Sequence, residues 1–246
     1  NLLEDNKDKG AFYTPKFIVE YMCREALISY LQNGIENEET KKSYREFVTS
    51  HEVSRIKSED VYDVDKKLRE VKICDPAIGS GAFPMGMLRV LFDCRMAIEQ
   101  KAENRIPSEI KKDIIQNSIY GVDIEKGAVD IARLRFWLSL IIEEETPHAL
   151  PNMEFKIMQG NSLFEEYHGI NLDDIYDGDR QMTLAFDEET QARELFKQNL
   201  INYFDEDDHN KKQAHLVDID NAVKSLVKAK TFGNEDVAKS IDALNL

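Results

Sequence analysis

Three short, mostly apolar segments, each ending at a polar residue, organise the first part of the chain. Residues 71–74, 119–122 and 155–158 are apolar and partly β-branched, and this pattern predicts β-strands. Apolar residues at helical spacing follow, from about Pro84 and over 126–142. Strands that alternate with helices predict an α/β fold with a parallel sheet, and right-handed crossovers bring the three strand ends to one edge. Ligands of such sheets bind at that edge.

Helices are also predicted around the strands. Thr14 before Pro15 is typical of a helix N-cap followed by proline at the first helical position. Residues 36–70 are charged and helix-prone, and Pro107 opens a further helix. The helix over 126–142 is apolar on nearly every side, which predicts that it is buried or packs on two sides.

The most specific feature is the string that follows the first strand, Asp75-Pro76-Ala77-Ile78-Gly79-Ser80-Gly81-Ala82-Phe83. Asp75 can accept a hydrogen bond from a ligand ammonium or hydroxyl, and Gly79 and Gly81 let the backbone approach a ligand closely. A dinucleotide fingerprint needs a third glycine three residues after the second, where this chain has Pro84. The loop therefore suits a cofactor with a positive charge and no phosphate, and S-adenosylmethionine is the clearest candidate.

Polar residues follow the other two strands as well. Asp123 ends the second strand, where an acid can bind both hydroxyls of a ribose. Asn161 follows the third, where its amide offers a donor and an acceptor to an adenine edge. Each residue also has a simpler interpretation, since Asp123 could cap the following helix and Asn161 could be a turn residue. Together with Asp75, at three successive strand ends, they favour a binding site.

Length and composition set outer bounds. A chain of 246 residues can bury a full core and predicts one large domain, alone or with an appendage. Asn1 in place of methionine suggests an excised or processed piece. No run of eighteen apolar residues and no signal peptide is present, so no membrane partner is expected. Three cysteines without a Cys-x-x-Cys pair favour free thiols in a reducing compartment, and hence a cytoplasmic protein.

The charge distribution bears on the partner. The net charge is −15, of which residues 161–246 carry −10 and residues 1–160 carry −5. A nucleic-acid enzyme contacts phosphates through a basic surface, and this chain has no long basic run. Two alternatives follow: the partner is not a nucleic acid, or the basic surface belongs to parts of the protein outside this chain.

Four motifs, in their order along the chain, resemble those of a known enzyme family. They are Gly10-Ala11-Phe12-Tyr13-Thr14-Pro15, Asp75 to Phe83, Ile119-Tyr120-Gly121-Val122-Asp123 and Gly160-Asn161-Ser162. They resemble motifs X, I, II and III of the amino-methyltransferases of bacterial restriction–modification systems. Motif X in first place resembles the γ order of N6-adenine DNA methyltransferases. The stretch 132–140 looks most like the type IIG branch, in which nuclease, methyltransferase and specificity regions share one chain; type I modification subunits are next closest.

This resemblance covers about residues 10–164 and implies a Rossmann-like S-adenosylmethionine-dependent methyltransferase fold. It also implies nine cofactor-site residues. Thr14 would contact the methionine end, Asp75 and Ala77 would line the amino-acid part, and Gly79 and Gly81 would let the backbone come close. Asp123 would hold the ribose, Ile124 would lie against the adenine ring, and Asn161, with Ser162 beside it, would bond the adenine amine. Ile78 departs from the family pattern, which usually has cysteine there. We expect Ile78 to face a backbone loop, with little consequence.

A larger departure limits what the chain does alone. The family's catalytic motif, Asn/Asp-Pro-Pro-Tyr/Phe, follows the fourth strand. Its carbonyls accept the hydrogens of the adenine amine as that amine attacks the sulfonium methyl, and its aromatic ring stacks on the flipped base. All six prolines here are isolated, so the motif is absent and no catalytic residue is assigned. We expect the chain to stop before it and to be inactive alone. Double-stranded DNA would be contacted largely through regions outside it, and nuclease and target-recognition regions would share its polypeptide or be subunits.

The sequence divides into three predicted regions. Residues 1–70 are an N-terminal helical segment with motif X, and residues 71–164 are the S-adenosylmethionine-binding α/β core. Residues 165–246 are an acidic, mostly helical insertion, interpreted as either a surface hairpin or an interface to another domain. Its acidic run 205–209 is typical of solvated charge, and no metal site is predicted. Two other functions stay open: a methyltransferase for protein glutamine or RNA, and a non-catalytic module with the same fold.

Overall fold

The computed structural model describes the chain in eight segments: residues 14–102, 106–142, 153, 155–163, 166–167, 170–171, 185–206 and 209–230. Residues 10–13 of motif X and residues 207–208 of the acidic run lie outside these segments. The chain divides into two compact units, Asn1–Ser162 and Leu163–Leu246. Each unit is described by itself, and the division into three regions stays a prediction.

The first unit combines helices with a small sheet. Its described helices are α1 (Lys16–Gln32), α2 (Glu38–Ser50), α3 (Val61–Glu70), α4 (Ala82–Ala102), α5 (Pro107–Asn117) and α6 (Lys126–Ile141), with a short 3₁₀ helix at Val53–Arg55. Its described strands are β1 (Ile73–Asp75), β2 (Ile119–Asp123) and β3 (Ile157–Gln159).

The three strands form a parallel sheet in the order β1-β2-β3. Asp75 pairs with Gly121, and Asp123 pairs with Gln159. Asp123 therefore lies two residues, about 6.6 Å, beyond the level of Asp75 along the sheet. The prediction of a parallel arrangement in which all three strands end at one edge is confirmed. The described molecule as a whole is mostly helical with this small parallel sheet.

The first and third strands each begin two residues later than predicted. Val71 instead ends α3, because its N–H donates to the Lys67 carbonyl at 3.0 Å. Lys156 lies in a turn, and its N–H donates to the Met153 carbonyl at 3.0 Å. In both places an apolar segment continues into a neighbouring turn or helix end, so apolar composition alone overestimates the length of the strand.

Two helices also begin away from their predicted positions. Pro15 is itself the N-cap of α1, and its carbonyl accepts the first main-chain hydrogen bonds of the helix, so the prediction that Thr14 is the cap was wrong by one residue. α4 begins at Ala82, two residues before Pro84. Proline is tolerated there because the first N–H groups of a helix have no partner within it.

The core of the first unit is built where α1 crosses α4. A Cβ on Gly86 would lie 2.7 Å from Val19 Cγ1 and 3.0 Å from Cys23 Sγ, so glycine is what allows this close approach. Cys23 and Cys94 are both buried free thiols, whereas Cys74 on β1 is exposed. Large, almost fully buried side chains of this core include Phe47, Phe136, Leu27, Leu31, Leu68, Leu91, Ile110, Ile114 and Ile119.

The helix α6 packs on one side rather than two. Its buried residues are Val129, Ala132, Phe136 and Leu140. The opposite stripe is about half exposed in the described structure, at Ile131, Leu134, Leu138 and Ile141. The prediction that this helix is buried or packs on two sides was therefore wrong for the part of the chain described. An apolar pattern reports which residues tolerate burial, whereas actual burial needs a covering element.

One face of the sheet carries a buried amine. Lys156, just before β3, donates from Nζ to Tyr120 Oη at 2.9 Å and lies 4.2 Å from the centre of that ring. Burial lowers the pKa of Lys156 to about 8. Cys74, the β1 partner of Tyr120, belongs to the same row of the sheet.

The second unit is a helical hairpin preceded by a small antiparallel ribbon. The ribbon joins β4 (Glu166–Tyr167) to β5 (Ile170–Asn171), and the helices are α7 (Ala185–Asp205) and α8 (His209–Lys230). Both helices lie within the region 165–246 that the sequence predicts to be mostly helical. Asn199 bridges them, since its Nδ2 donates to the Asp218 carbonyl at 3.2 Å. Among the described helices, none combines the length with the apolar composition that a membrane span requires.

Candidate functional site

The glycine loop begins where β1 ends and is shaped by its own main-chain bonds. Asp75 Oδ1 accepts the Ala77 N–H at 3.1 Å, and the Gly81 N–H closes a four-residue turn on the Ile78 carbonyl at 2.8 Å. Gly79 has φ +52° and Gly81 has φ +84°, both in the left-handed region that favours glycine. A Cβ on Gly79 would have no atom within 4 Å, so this glycine faces open space.

Asp123 connects the glycine loop to the second strand. Its Oδ2 accepts the Gly79 N–H at 2.7 Å, and its Oδ1 accepts the Glu125 N–H at 2.9 Å. The simpler interpretation of Asp123 is thus partly right, because it stabilises the turn into α6. Each carboxylate oxygen keeps a further lone pair that can accept a ligand hydroxyl.

The end of the third strand closes on the other two. The Gly160 N–H donates to the Asp123 carbonyl at 2.9 Å, and Gln159 Nε2 donates to the Ile124 carbonyl at 3.1 Å. Ser162 Oγ donates to the Pro76 carbonyl at 2.6 Å, across 86 residues of sequence. The side chains of Asn161 and Ile124 are exposed at the same edge. The three predicted strand ends are therefore brought together, with Gln159 as a contributor that sequence reasoning missed.

Thr14 lies at the start of the described chain, just before α1. It lines a cavity of about 210 Å³ between the first turns of α1 and α4 and the middle of α6. Three basic side chains, Lys16, Arg89 and Arg135, line the cavity together with a single acid, Glu20. Sequence reasoning missed this basic patch because its three cations come from three different helices and form no run in the sequence.

The electrostatics of the site centre on Asp75. Burial raises the pKa of the Asp75 carboxyl, and the neighbouring Asp123 charge raises it further, while the Ala77 N–H acts in the opposite direction. Two acids at adjacent strand ends produce a local negative potential. Such a site favours a ligand that brings a positive charge or hydroxyl donors.

Ile78 behaves differently from its prediction. It is 3% exposed, and its N–H donates to the Val122 carbonyl at 2.9 Å. Its side chain packs against Gly121 of β2, where an added Cβ would lie 2.3 Å from Ile78 Cδ1. The expectation that Ile78 faces a backbone loop with little consequence is therefore corrected: this residue fills the space that Gly121 leaves and anchors the loop on the central strand.

Comparison with known proteins identifies the family. The family described as MmeI, DNA-methyltransferase domain, matches residues 50–195, which include the glycine loop and all three strands of the parallel sheet. The chain belongs to this family of DNA methyltransferase domains. The match begins after Thr14 and α1. It covers the cluster of strand ends and the two helices, α4 and α6, that form walls of the basic cavity.

Two relatives give the same picture. One, from Methanocaldococcus jannaschii, carries the provisional name type II restriction enzyme and methyltransferase RM.MjaORFECS2P; it is 31% identical over 190 residues, which are 66% of this chain and 15% of the relative. The other is the type II restriction enzyme and methyltransferase RM.Eco57I of Escherichia coli, 24% identical over 191 residues, 70% of this chain and 16% of the relative. The matched part thus spans about one sixth of these relatives. The predicted resemblance to type IIG restriction–modification methyltransferases is confirmed.

Proposed function

We propose that this chain is the cofactor-binding part of an S-adenosylmethionine-dependent DNA adenine-N6 methyltransferase in a restriction–modification enzyme. The observation that carries the proposal is the 2.7 Å hydrogen bond from the Gly79 N–H to Asp123 Oδ2, in a chain of a DNA-methyltransferase family. This bond joins the open glycine loop to an acid at the next strand end. In this arrangement the glycine loop can receive the amino-acid end of a ligand while the neighbouring acid binds its ribose hydroxyls.

The residues of the strand ends fit such a cofactor chemically. Asp75 can accept from the ammonium of an amino-acid end, and its proximity to Asp123 favours a positively charged ligand. Asp123 retains lone pairs for ribose hydroxyls, and the exposed apolar side chain of Ile124 offers a surface for an adenine ring. Asn161 and Ser162 follow β3 at the same edge. Adenosylmethionine, when bound, supplies a methyl group that its sulfonium centre makes electrophilic.

In this proposal the three strands are one half of a Rossmann-like sheet. A parallel sheet in proteins is normally covered on both faces. Here Cys74, on one face, is exposed, and β1 has a strand partner on one side within the described residues. Both features are consistent with further strands and helices that add beside β1 and carry the Asn-Pro-Pro-Tyr type of motif, which this chain lacks.

The remaining parts of the enzyme would lie elsewhere in the polypeptide or in partner subunits. Both relatives are named as restriction enzymes as well as methyltransferases, and both are several times longer than the matched segment. The net charge of −15 favours a DNA-contacting surface supplied mainly by those other parts.

The test uses the complete polypeptide that contains this chain. We incubate it with methyl-labelled adenosylmethionine and double-stranded DNA and digest the product to nucleosides for mass spectrometry. The proposal expects labelled N6-methyladenine, and expects Asp123→Ala to abolish it while Arg45→Met, at an exposed ion pair with Glu25, leaves it unchanged. Label in cytosine, RNA or protein glutamine would replace the proposed substrate, and no transfer to any of these would favour a non-catalytic module.

A further inference from the structure

The helix α6 carries two arginines that bind main-chain carbonyls on two sides of the candidate site. Arg135 Nη1 donates to the Ser80 carbonyl at 2.9 Å. Arg133 donates to the Ile157 carbonyl from Nε at 2.9 Å and from Nη2 at 2.6 Å. Residues two apart on a helix differ by about 200° in direction, so the two side chains leave α6 on opposite sides. One helix therefore holds both the glycine loop and strand β3.

The loop that Arg135 holds has little stiffness of its own. Gly79 and Gly81 flank Ser80, and both have a left-handed backbone conformation. Glycine has the widest conformational freedom of any residue type. The loop also lies close against α6, since a Cβ on Gly81 would be 3.3 Å from Ala132 Cβ. Arg135 is one helical turn beyond Ala132 on the same helix, which places its guanidinium beside the Ser80 carbonyl.

Hydrogen bonding divides the loop into fixed and free peptide groups. Asp123 fixes the peptide group that precedes Gly79, and Arg135 fixes the one that follows Ser80. Within the segments that the structure describes, the peptide group between Gly79 and Ser80 makes no hydrogen bond. Its N–H and carbonyl therefore stay available to a ligand, and the two neighbouring peptide groups determine the direction in which they point.

We propose that Arg135 is a positioning residue for the cofactor: by holding the Ser80 carbonyl it orients the free Gly79–Ser80 peptide group toward the ligand. This inference rests on the proposed function. An arginine suits the task because its guanidinium stays charged, its planar fork is pre-organised, and a bond from a charged donor is stronger than a neutral one. It also gives a physical role to an arginine in the stretch 132–140, whose sequence alone shows only a resemblance.

The test compares three variants of this chain: Arg135→Met, Arg135→Lys and the control Arg45→Met. Arg45 is a surface arginine paired with Glu25 at 2.7 Å, so the control removes the same side chain without touching the loop. Amide hydrogen exchange of Gly79 and Gly81 is measured without ligand, and adenosylmethionine affinity is measured by calorimetry. We expect Arg135→Met to accelerate both exchange rates and to weaken binding by about tenfold each, the size expected for a lost charge-assisted hydrogen bond.

The conservative variant separates positioning from general stability. Arg135→Lys keeps a charged donor without the planar fork, so we expect it to recover most of both losses, to about threefold. Unchanged exchange rates and affinity in Arg135→Met would overturn the inference. If Arg135→Met did not fold, unchanged exchange rates and affinity in Arg135→Lys would overturn it instead. If the unmodified chain bound no adenosylmethionine, the proposed function would fail, and the exchange rates alone would decide whether Arg135 positions the loop.

Discussion

Ile78 and Gly121 form a matched pair beneath the glycine loop, and enlarging Gly121 should destabilise the first unit. A Cβ at position 121 would lie 2.3 Å from Ile78 Cδ1 and 3.0 Å from its Cβ and Cγ1. Ile78 is 3% exposed, so its side chain has little room to move aside. Overpacking of a core typically costs about 1–3 kcal/mol. We therefore expect Gly121→Ala to lower the free energy of unfolding by about 2 kcal/mol.

Shortening Ile78 should relieve this overlap. Ile78→Val removes Cδ1, the atom in closest contact, and alone costs about 1 kcal/mol. If the two changes were independent, the double variant would lose about 3 kcal/mol. Because the added methyl fills the space that Cδ1 leaves, we expect the double variant to lose about 1.5 kcal/mol, a coupling of about 1.5 kcal/mol.

The assay is urea unfolding followed by the fluorescence of Trp137, the only tryptophan of the chain, which packs against the core of the first unit. Gly127→Ala is the matched control, since a Cβ there meets no atom within 4 Å and alanine favours a helix by about 0.5–1 kcal/mol. Additive losses in the double variant, or a harmless Gly121→Ala, would refute the account of how the loop is anchored.

Three further outcomes follow from the ionisable groups. Burial and the Asp123 charge raise the pKa of Asp75, so the affinity for adenosylmethionine should fall as the pH falls through that raised value. Asp75→Asn should flatten the pH profile of the affinity measured by calorimetry. An unchanged profile would contradict the assignment of Asp75 to the cofactor site. Burial raises the pKa of Cys23 to about 11 and of Cys94 to about 12. A thiol reagent at pH 8 should therefore label only the exposed Cys74 in the folded chain, as detected by mass spectrometry. Labelling of all three cysteines before unfolding would contradict the burial of Cys23 and Cys94 in the core. The pKa of Lys156 is about 8, below its ordinary value, so the unfolded chain binds more protons between about pH 8 and 10.5. Stability should rise across that window in urea titrations and stay flat for Lys156→Met, and an equal rise in that variant would exclude Lys156 as the cause.

The part of the site that sequence predicts well is the part made of neighbours in sequence. Gly79 and Gly81 have the left-handed backbone that glycines in such a loop suggest, and Asp75 and Asp123 end parallel strands. Local sequence controls both features, because a strand end, a tight turn and a helix start each depend on a few consecutive residues.

Contacts between distant segments are what sequence reasoning did not predict. The packing of Ile78 on Gly121, the bond from Arg135 to Ser80 and the grouping of three cations around one cavity all join separate elements. Each depends on how helices and strands are placed in space, which periodicity does not encode. The same limit explains α6, whose apolar pattern predicts burial but does not say whether an element covers it.

An NMR titration of this chain with adenosylmethionine tests directly whether the three strand ends form the cofactor site, because it detects weak as well as tight binding. We expect the amide resonances of Gly79, Ser80, Gly81 and Ile124 to shift together and saturably. We also expect Asp123→Ala to remove these shifts while the rest of the spectrum stays that of a folded chain. No shift at millimolar cofactor, or shifts confined to residues away from the three strand ends, would contradict this assignment of the site.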